Sequence, residues 1–72
     1  MASIIGKGLL EIYSQTLDIQ GTVSAASLYE LLKLPESYRD NIIAVRGGKV
    51  LMANDIIENN DEIVVFVSVM GG

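Results

Sequence analysis

Residues 63–69 read Ile63-Val64-Val65-Phe66-Val67-Ser68-Val69 and begin with the longest run of β-branched and aromatic residues in the chain, 63–67. Such a run predicts a β-strand, which we place at 62–69. Side chains alternate along a strand, so the odd-numbered residues share one face and Val64, Phe66, Ser68 and Met70 share the other. Both faces are largely apolar, and a strand of this kind is usually covered on both sides.

The residues before this strand predict its neighbours. Asn59-Asn60-Asp61 is typical of a turn, and the polar stretch 53–60 is expected to be a connection. Gly47-Gly48 predicts a two-residue hairpin, because both positions tolerate positive φ. The hairpin joins a strand at 42–46 to a short returning strand at 49–52.

The N-terminal part predicts a second hairpin and one helix. Apolar and polar residues alternate in 10–14 and in 17–20, which predicts two strands. The turn lies at Ser14-Gln15 or at 6–8, so the register of the hairpin stays open. Ser27 with Glu30 resembles a capping box, and Ser24 is the competing N-cap. The predicted helix spans 24 or 28 to 33, and Pro35 prevents it from continuing. Residues 37–40 are expected to form a loop or a short turn.

These elements predict an α+β fold within one domain, 1–72, with a flexible Gly-Gly tail at about 70–72. A mixed sheet of four to five strands would carry one main helix on one face, joined by a right-handed crossover. One short helix covers only one face of the sheet. We therefore expect the face with Phe66 to stay partly exposed and to dock a partner. The expected docking residues are Phe66, Val64, Ser68, Ala44 and Ile42, or Ile43 and Val45 beside Phe66 if the parity is reversed. In a competing interpretation, stretch 53–60 or the N-terminal segment covers this face.

Composition excludes several classes of function. The 72 residues contain no Cys and no His, so a Cys/His zinc site and disulfides are impossible, and a Ser nucleophile has no His partner. The formal charge is −4 and the five basic residues are scattered, which disfavours nucleic-acid binding. No apolar run approaches the roughly 20 residues that span a bilayer, and no signal-peptide pattern is present. We expect a cytoplasmic protein that is not an enzyme.

The end of the chain, Val69-Met70-Gly71-Gly72, directly follows the predicted strand. Glycine has no Cβ, so an extended tail of this kind fits a narrow channel in a partner enzyme. The carboxylate of Gly72 is then the plausible reactive group of a chain without Cys or His. A frayed end without a role is the competing interpretation.

Residues 61–72, an acidic turn, a hydrophobic strand and a Gly-Gly end, resemble the ending of the bacterial and archaeal sulfur carriers of the β-grasp (ubiquitin-like) superfamily. Residues 27–32, 46–50 and 57–63 resemble the family's helix start, hairpin and acidic turn. The resemblance covers roughly residues 9–72, whereas the first eight residues and Asn60 match poorly. Val67-Ser68 stands where the molybdopterin synthase small subunit usually has Pro-Pro, so the thiamine-biosynthesis type is favoured.

The resemblance implies a function in which Gly72 carries sulfur, with Gly71 and Met70 as its tail. A ubiquitin-activating-type enzyme would use ATP to adenylate the Gly72 carboxylate, and the carrier itself would bind no cofactor and no metal. A sulfurtransferase or cysteine desulfurase would then supply the sulfur of a thiocarboxylate. A synthase such as thiazole synthase would accept it. Arg46 or Lys49 would tune the docking surface.

Three alternatives stay open at the level of the sequence. The first is a molybdopterin synthase small subunit, which would use the same Gly72 chemistry. The second is a ubiquitin-like protein modifier, in which Gly72 ends in an isopeptide bond to a substrate Lys. The third is a binding module that does not use its tail.

Overall fold

The computed structural model describes residues 1–68, and for Arg39 the backbone only. It has a β-grasp-like α+β fold, in which a mixed five-stranded sheet carries a helix on one face, as the sequence predicted. The elements are β1 Ala2–Gly6, a 3₁₀ helix Gly8–Tyr13, β2 Gln15–Leu17, β3 Thr22–Ser24, α1 Ala25–Leu31, α2 Glu36–Arg39, β4 Ile42–Arg46, β5 Lys49–Val50, β6 Ile56–Glu58 and β7 Glu62–Val67.

Strand β7 lies at the centre of the sheet, whose order is β2-β1-β7-β4-β5. It runs parallel to β1, with Ile63 beside Ile4, and antiparallel to β4, with Val65 beside Ala44. The outer pairs β1–β2 and β4–β5 are antiparallel. The backbone of this strand is therefore paired along both edges, with β1 on one side and β4 on the other.

The first antiparallel pair is confirmed in kind, but its strands lie elsewhere than predicted. Residues 10–14 fall largely in the 3₁₀ helix, and the strands are Ala2–Gly6 and Gln15–Leu17. Gly6 explains the difference, since a Cβ added there would lie 1.8 Å from the Leu10 carbonyl oxygen. The 3₁₀ helix thus packs its backbone on the sheet where β1 has no side chain, and Leu10 becomes fully buried.

Helix α1 begins at the competing N-cap, so the predicted Ser27–Glu30 capping box is wrong. The Ser24 hydroxyl oxygen accepts a hydrogen bond from the Ser27 backbone N–H at 3.1 Å. At the other end Lys33 has φ 57°, a left-handed geometry that stops the helix two residues before Pro35. The residues predicted as a loop or short turn, 37–40, contribute to the single-turn helix α2.

The Gly47-Gly48 hairpin is confirmed, with φ of 60° and 81°, and β4 has the predicted bounds. The connection 53–60 contains a strand that the sequence did not reveal, β6, which pairs antiparallel with β3. The Asn59 side chain holds this unit in place, because its amide bonds to both the N–H and the carbonyl oxygen of Ile19 at 2.9 and 2.8 Å.

One hydrophobic cluster fills the space between the sheet and its covering segments. The sheet contributes residues from β1, β4 and β7, and the covering segments contribute residues from the 3₁₀ helix, α1 and the connections. Its buried members are Ala2, Ile4, Leu10, Ile19, Ala25, Leu28, Leu32, Leu34, Ala44, Leu51, Ile57, Ile63 and Val65. We call the side of the sheet that faces this cluster the covered face.

Candidate functional site

The opposite side of the sheet carries a band of apolar side chains, which we call the open face. It comprises Ile5, Ile43, Val45, Val50, Val64 and Phe66. Strand register aligns four of them in one row, because Ile5 lies beside Val64, Val64 beside Val45, and Val45 beside Val50. Phe66 lies beside Ile43 in the adjacent row. The band therefore crosses four neighbouring strands.

The open face is less buried than the covered face, although its residue types are similar. Val50 is 61% exposed, and the other five side chains are partly buried. None of the six belongs to the core cluster or to the partly buried apolar residues that pack against it. Ile63 and Val65, which alternate with Val64 and Phe66 on the same strand, are fully buried. This contrast supports the expected exposure of Phe66.

The two segments that were the competing cover of this face are used elsewhere. The N-terminal segment is β1, a strand within the sheet. The connection 53–60 lies beside α1 on the covered face, where Ile57 is fully buried and the Ala25 N–H donates to the Asp55 carbonyl oxygen at 2.9 Å.

Two expected docking residues are wrongly placed. Ala44 is fully buried beside Val65, and Ile42 lies beside Val67 and packs against the core. The reversed parity is the observed one, since Ile43 and Val45 share the open face. The reason is register: a shift of one residue between β4 and β7 exchanges the faces of every side chain, and residue types in 42–46 do not fix that register.

Arg46 does not lie on the open face either, so its expected role in tuning that surface is wrong. It alternates with Val45 and takes part in a network on the covered side. Its guanidinium donates to the Ile56 carbonyl oxygen at 2.7 Å and to Asp61 at 2.9 Å. The same Asp61 oxygen accepts the Glu58 N–H, so the acidic turn before β7 has a structural role. Lys49 lies beside Arg46 in the register and shares its side of the sheet.

Charged residues lie at two ends of the open face. Lys7 follows β1 and keeps the extended backbone, with φ −120° and ψ 152°. Its N–H donates to the Val65 carbonyl oxygen at 3.0 Å, which continues the pairing with β7. The Lys7 side chain therefore lies on the same side of the sheet as that of Ile5. Glu62 alternates onto the side of Val64 and lies beside Ser3. Both charged residues are exposed. The apolar band thus lies between one cation and one anion.

Sequence reasoning missed Ile5, Val50 and Lys7. The β-branched pair Ile4-Ile5 after Ser3 was a signal for a strand, but residues 1–8 were not assigned to one. Val50 was assigned to a strand but not to this face. The side of the sheet on which its side chain lies is known only from its pairing with Val45.

Strand β7 ends at one edge of this site. The Ser68 N–H donates to the Asn41 carbonyl oxygen at 2.7 Å, one residue beyond the β7–β4 ladder. Ser68 itself is partly buried. The expected tail residues Met70, Gly71 and Gly72 lie outside the described residues.

Two features are absent from residues 1–68. No group of three or more Asp and Glu side chains there is arranged to hold a metal ion. No helix in the same residues is long and apolar enough to cross a membrane.

The chain was also compared with known proteins. No protein-family model matches it, and no match was found among the curated proteins.

Proposed function

We propose that this chain is a sulfur-carrier protein that acts through the carboxylate of Gly72. The observation that carries the proposal is the position of β7. This strand occupies the centre of a β-grasp-like sheet and carries Val64 and Phe66 of the open face. In the sequence, the Gly-Gly end follows this strand within a few residues. The body and the reactive end would then meet a partner enzyme together.

The chemistry begins with activation of the carboxylate. A Gly72 carboxylate oxygen attacks the α-phosphorus of ATP on an adenylating enzyme, and pyrophosphate leaves. The terminal sulfur of a partner's persulfide, on a sulfurtransferase or cysteine desulfurase, then attacks the acyl carbon, and AMP leaves. A partner thiol cleaves the resulting S–S bond, becoming part of a disulfide and leaving a thiocarboxylate on Gly72.

The carrier contributes orientation to this sequence. A chain without Cys or His supplies neither the sulfur nucleophile nor a general base, so its partners supply both. Holding the acyl group at the reacting centre makes an otherwise bimolecular step effectively unimolecular. The open face supports this role, since Ile43, Val64 and Phe66 offer an apolar surface next to the end of β7.

The favoured sulfur acceptor is a thiazole synthase in thiamine biosynthesis, in the cytoplasm. The support is the resemblance of residues 61–72 together with Val67-Ser68 in place of Pro-Pro. Delivery to a molybdopterin synthase is the alternative acceptor within the same proposal.

The deciding experiment is intact-mass spectrometry of the protein after incubation with ATP, its host's adenylating enzyme and a sulfide donor. We expect the mass change of one oxygen-to-sulfur exchange, mapped to Gly72 by fragmentation. A chain lacking Gly71 and Gly72 is the control and should stay unchanged. Absence of the change, while a known carrier is converted in a parallel assay, would reject the proposal. Conjugates to lysines of other proteins would instead identify a modifier.

Docking by the open face is tested in the adenylation assay. Phe66→Ala should raise KM about tenfold, the effect of losing roughly 1.4 kcal/mol at a well-packed interface position. Ile12→Ala is the matched control, because Ile12 is 85% exposed on the 3₁₀ helix and away from the open face. Equal KM values for the two variants would exclude the open face as the docking surface.

A further inference from the structure

Within residues 1–68, the hydrogen bond to the sheet that lies nearest the C-terminal end is made by Ser68. Its N–H donates to the Asn41 carbonyl oxygen at 2.7 Å, and Asn41 directly precedes β4. β7 ends at Val67, which lies beside Ile42, so this bond extends the pairing by one residue. It holds the backbone of Ser68 against β4.

Four residues follow Ser68, and covalent geometry limits their span to about 14 Å. With so short a reach, the position of Ser68 limits where the carboxylate can arrive. Each backbone residue that has to be ordered costs conformational entropy. A bond that orders Ser68 before docking removes part of that cost from the reacting complex.

We propose that the Ser68 N–H is a positioning group for the Gly72 carboxylate. The inference rests on the proposed function and assigns separate roles to two parts of the protein. The open face determines how tightly the partner docks, and the Ser68–Asn41 bond determines how often the docked end reaches the adenylating site. Loss of this bond therefore lowers kcat and leaves KM nearly unchanged.

The kinetic test compares Ser68→Pro with Ser68→Ala. Both variants lack the hydroxyl, but only proline lacks the N–H. Ser68 lies just beyond the end of β7, so proline there does not interrupt the strand, and the freed Asn41 carbonyl belongs to an exposed residue that water can solvate. We expect kcat of adenylation to be about 5- to 20-fold lower for Ser68→Pro than for Ser68→Ala, the range set by ordering one additional residue.

Ser68→Gly separates the hydrogen bond from backbone stiffness, because glycine keeps the N–H and increases freedom. Its kcat should stay close to that of Ser68→Ala. A kcat for Ser68→Gly as low as that of Ser68→Pro, or equal kcat for Ser68→Pro and Ser68→Ala, would overturn the inference. Unfolding by urea should show similar stability for all three variants.

Amide hydrogen exchange provides a readout that needs no partner. The Ser68 amide of the free wild-type protein should exchange more slowly than an unprotected amide of the same sequence. Exchange at the unprotected rate would refute the positioning role even if Gly72 is converted to a thiocarboxylate. Slow exchange without any conversion would reject the proposed function and show that the bond forms independently of it.

Discussion

The covered and open faces of the central sheet carry similar side chains but differ in how far those side chains are buried. Ile4, Ile63 and Val65 point to the covered face and are buried, whereas Ile5, Val64 and Phe66 alternate with them and remain partly exposed. The difference comes from the segments between the strands. Leu10, Leu28 and Ile57, from three such segments, all enter the same core cluster. Burial is thus decided by the side on which the connections pack, and apolar composition alone does not indicate that side.

The largest expected effect concerns the tight cover of the sheet at Gly6. Gly6→Ala should lower the free energy of unfolding by about 3 kcal/mol, because its Cβ would meet the Leu10 backbone and the 3₁₀ helix would have to shift. Urea unfolding measures this. Gly8→Ala is the control: a Cβ there meets no atom within 4 Å, and its φ of 56° alone costs roughly 1 kcal/mol. Equal losses would mean that the 3₁₀ helix does not pack closely on β1.

The comparison of the two faces is tested most directly on adjacent residues of β7. Val65→Ala should cost about 2–3 kcal/mol, since Val65 is fully buried and its removal leaves a cavity. Val64→Ala should cost less than about 1 kcal/mol, because Val64 lies on the open face and already contacts water. Chemical denaturation of the two variants provides the measurement. Equal costs would show that both faces are covered in solution.

A smaller effect, in the opposite direction, is expected in the helix that covers the sheet. Lys33 ends α1 with φ 57°, where a side chain is strained. Lys33→Gly should therefore stabilise the fold by about 1 kcal/mol, detectable as a rise in Tm. Lys33→Ala removes the same charge without relieving the strain and should leave Tm nearly unchanged. A similar rise in both variants would assign the effect to charge.

The smallest effect is restricted to alkaline pH. Burial of the Tyr29 hydroxyl raises the pKa of that side chain above its ordinary value of 10.0. Above pH 10 the unfolded chain loses this proton while the folded chain keeps it, so stability falls as pH rises towards the folded-state pKa. Below pH 10 the group contributes no pH dependence. Denaturation curves of Tyr29→Phe should lack this part of the decline, and an unchanged decline would show that Tyr29 is not buried in solution.

Sequence reasoning succeeded where a local pattern decides the structure. Gly47-Gly48 forms a hairpin because both residues adopt positive φ, and 42–46 is a strand because β-branched residues suit a pleated surface. It failed where two distant segments must meet. The strand β6 forms only because β3 lies beside it, and the 3₁₀ helix replaces a predicted strand because Gly6 accepts its backbone.

The candidate site divides in the same way. Residue types predicted that the Phe66 side of the last strand would face outwards, and the alternation along β7 supports this. They left open which residues of β4 accompany Phe66, and Ala44 and Ile42 were the wrong choice because parity depends on cross-strand register. Ile5 and Lys7 join the site only through the parallel pairing of β1 with β7.

The sequence by itself determined the fold class, the hairpin at 47–48 and the absence of Cys and His, because these follow from residue identities and local backbone preferences. Only the tertiary structure decided that β1 lies beside β7, that the covering segments of residues 1–68 pack on one face, and that Ser68 bonds to Asn41 beyond the β7–β4 ladder. These features depend on pairings between residues far apart in the chain. Such pairings are selected by the burial and hydrogen bonding of the whole domain rather than by any local pattern.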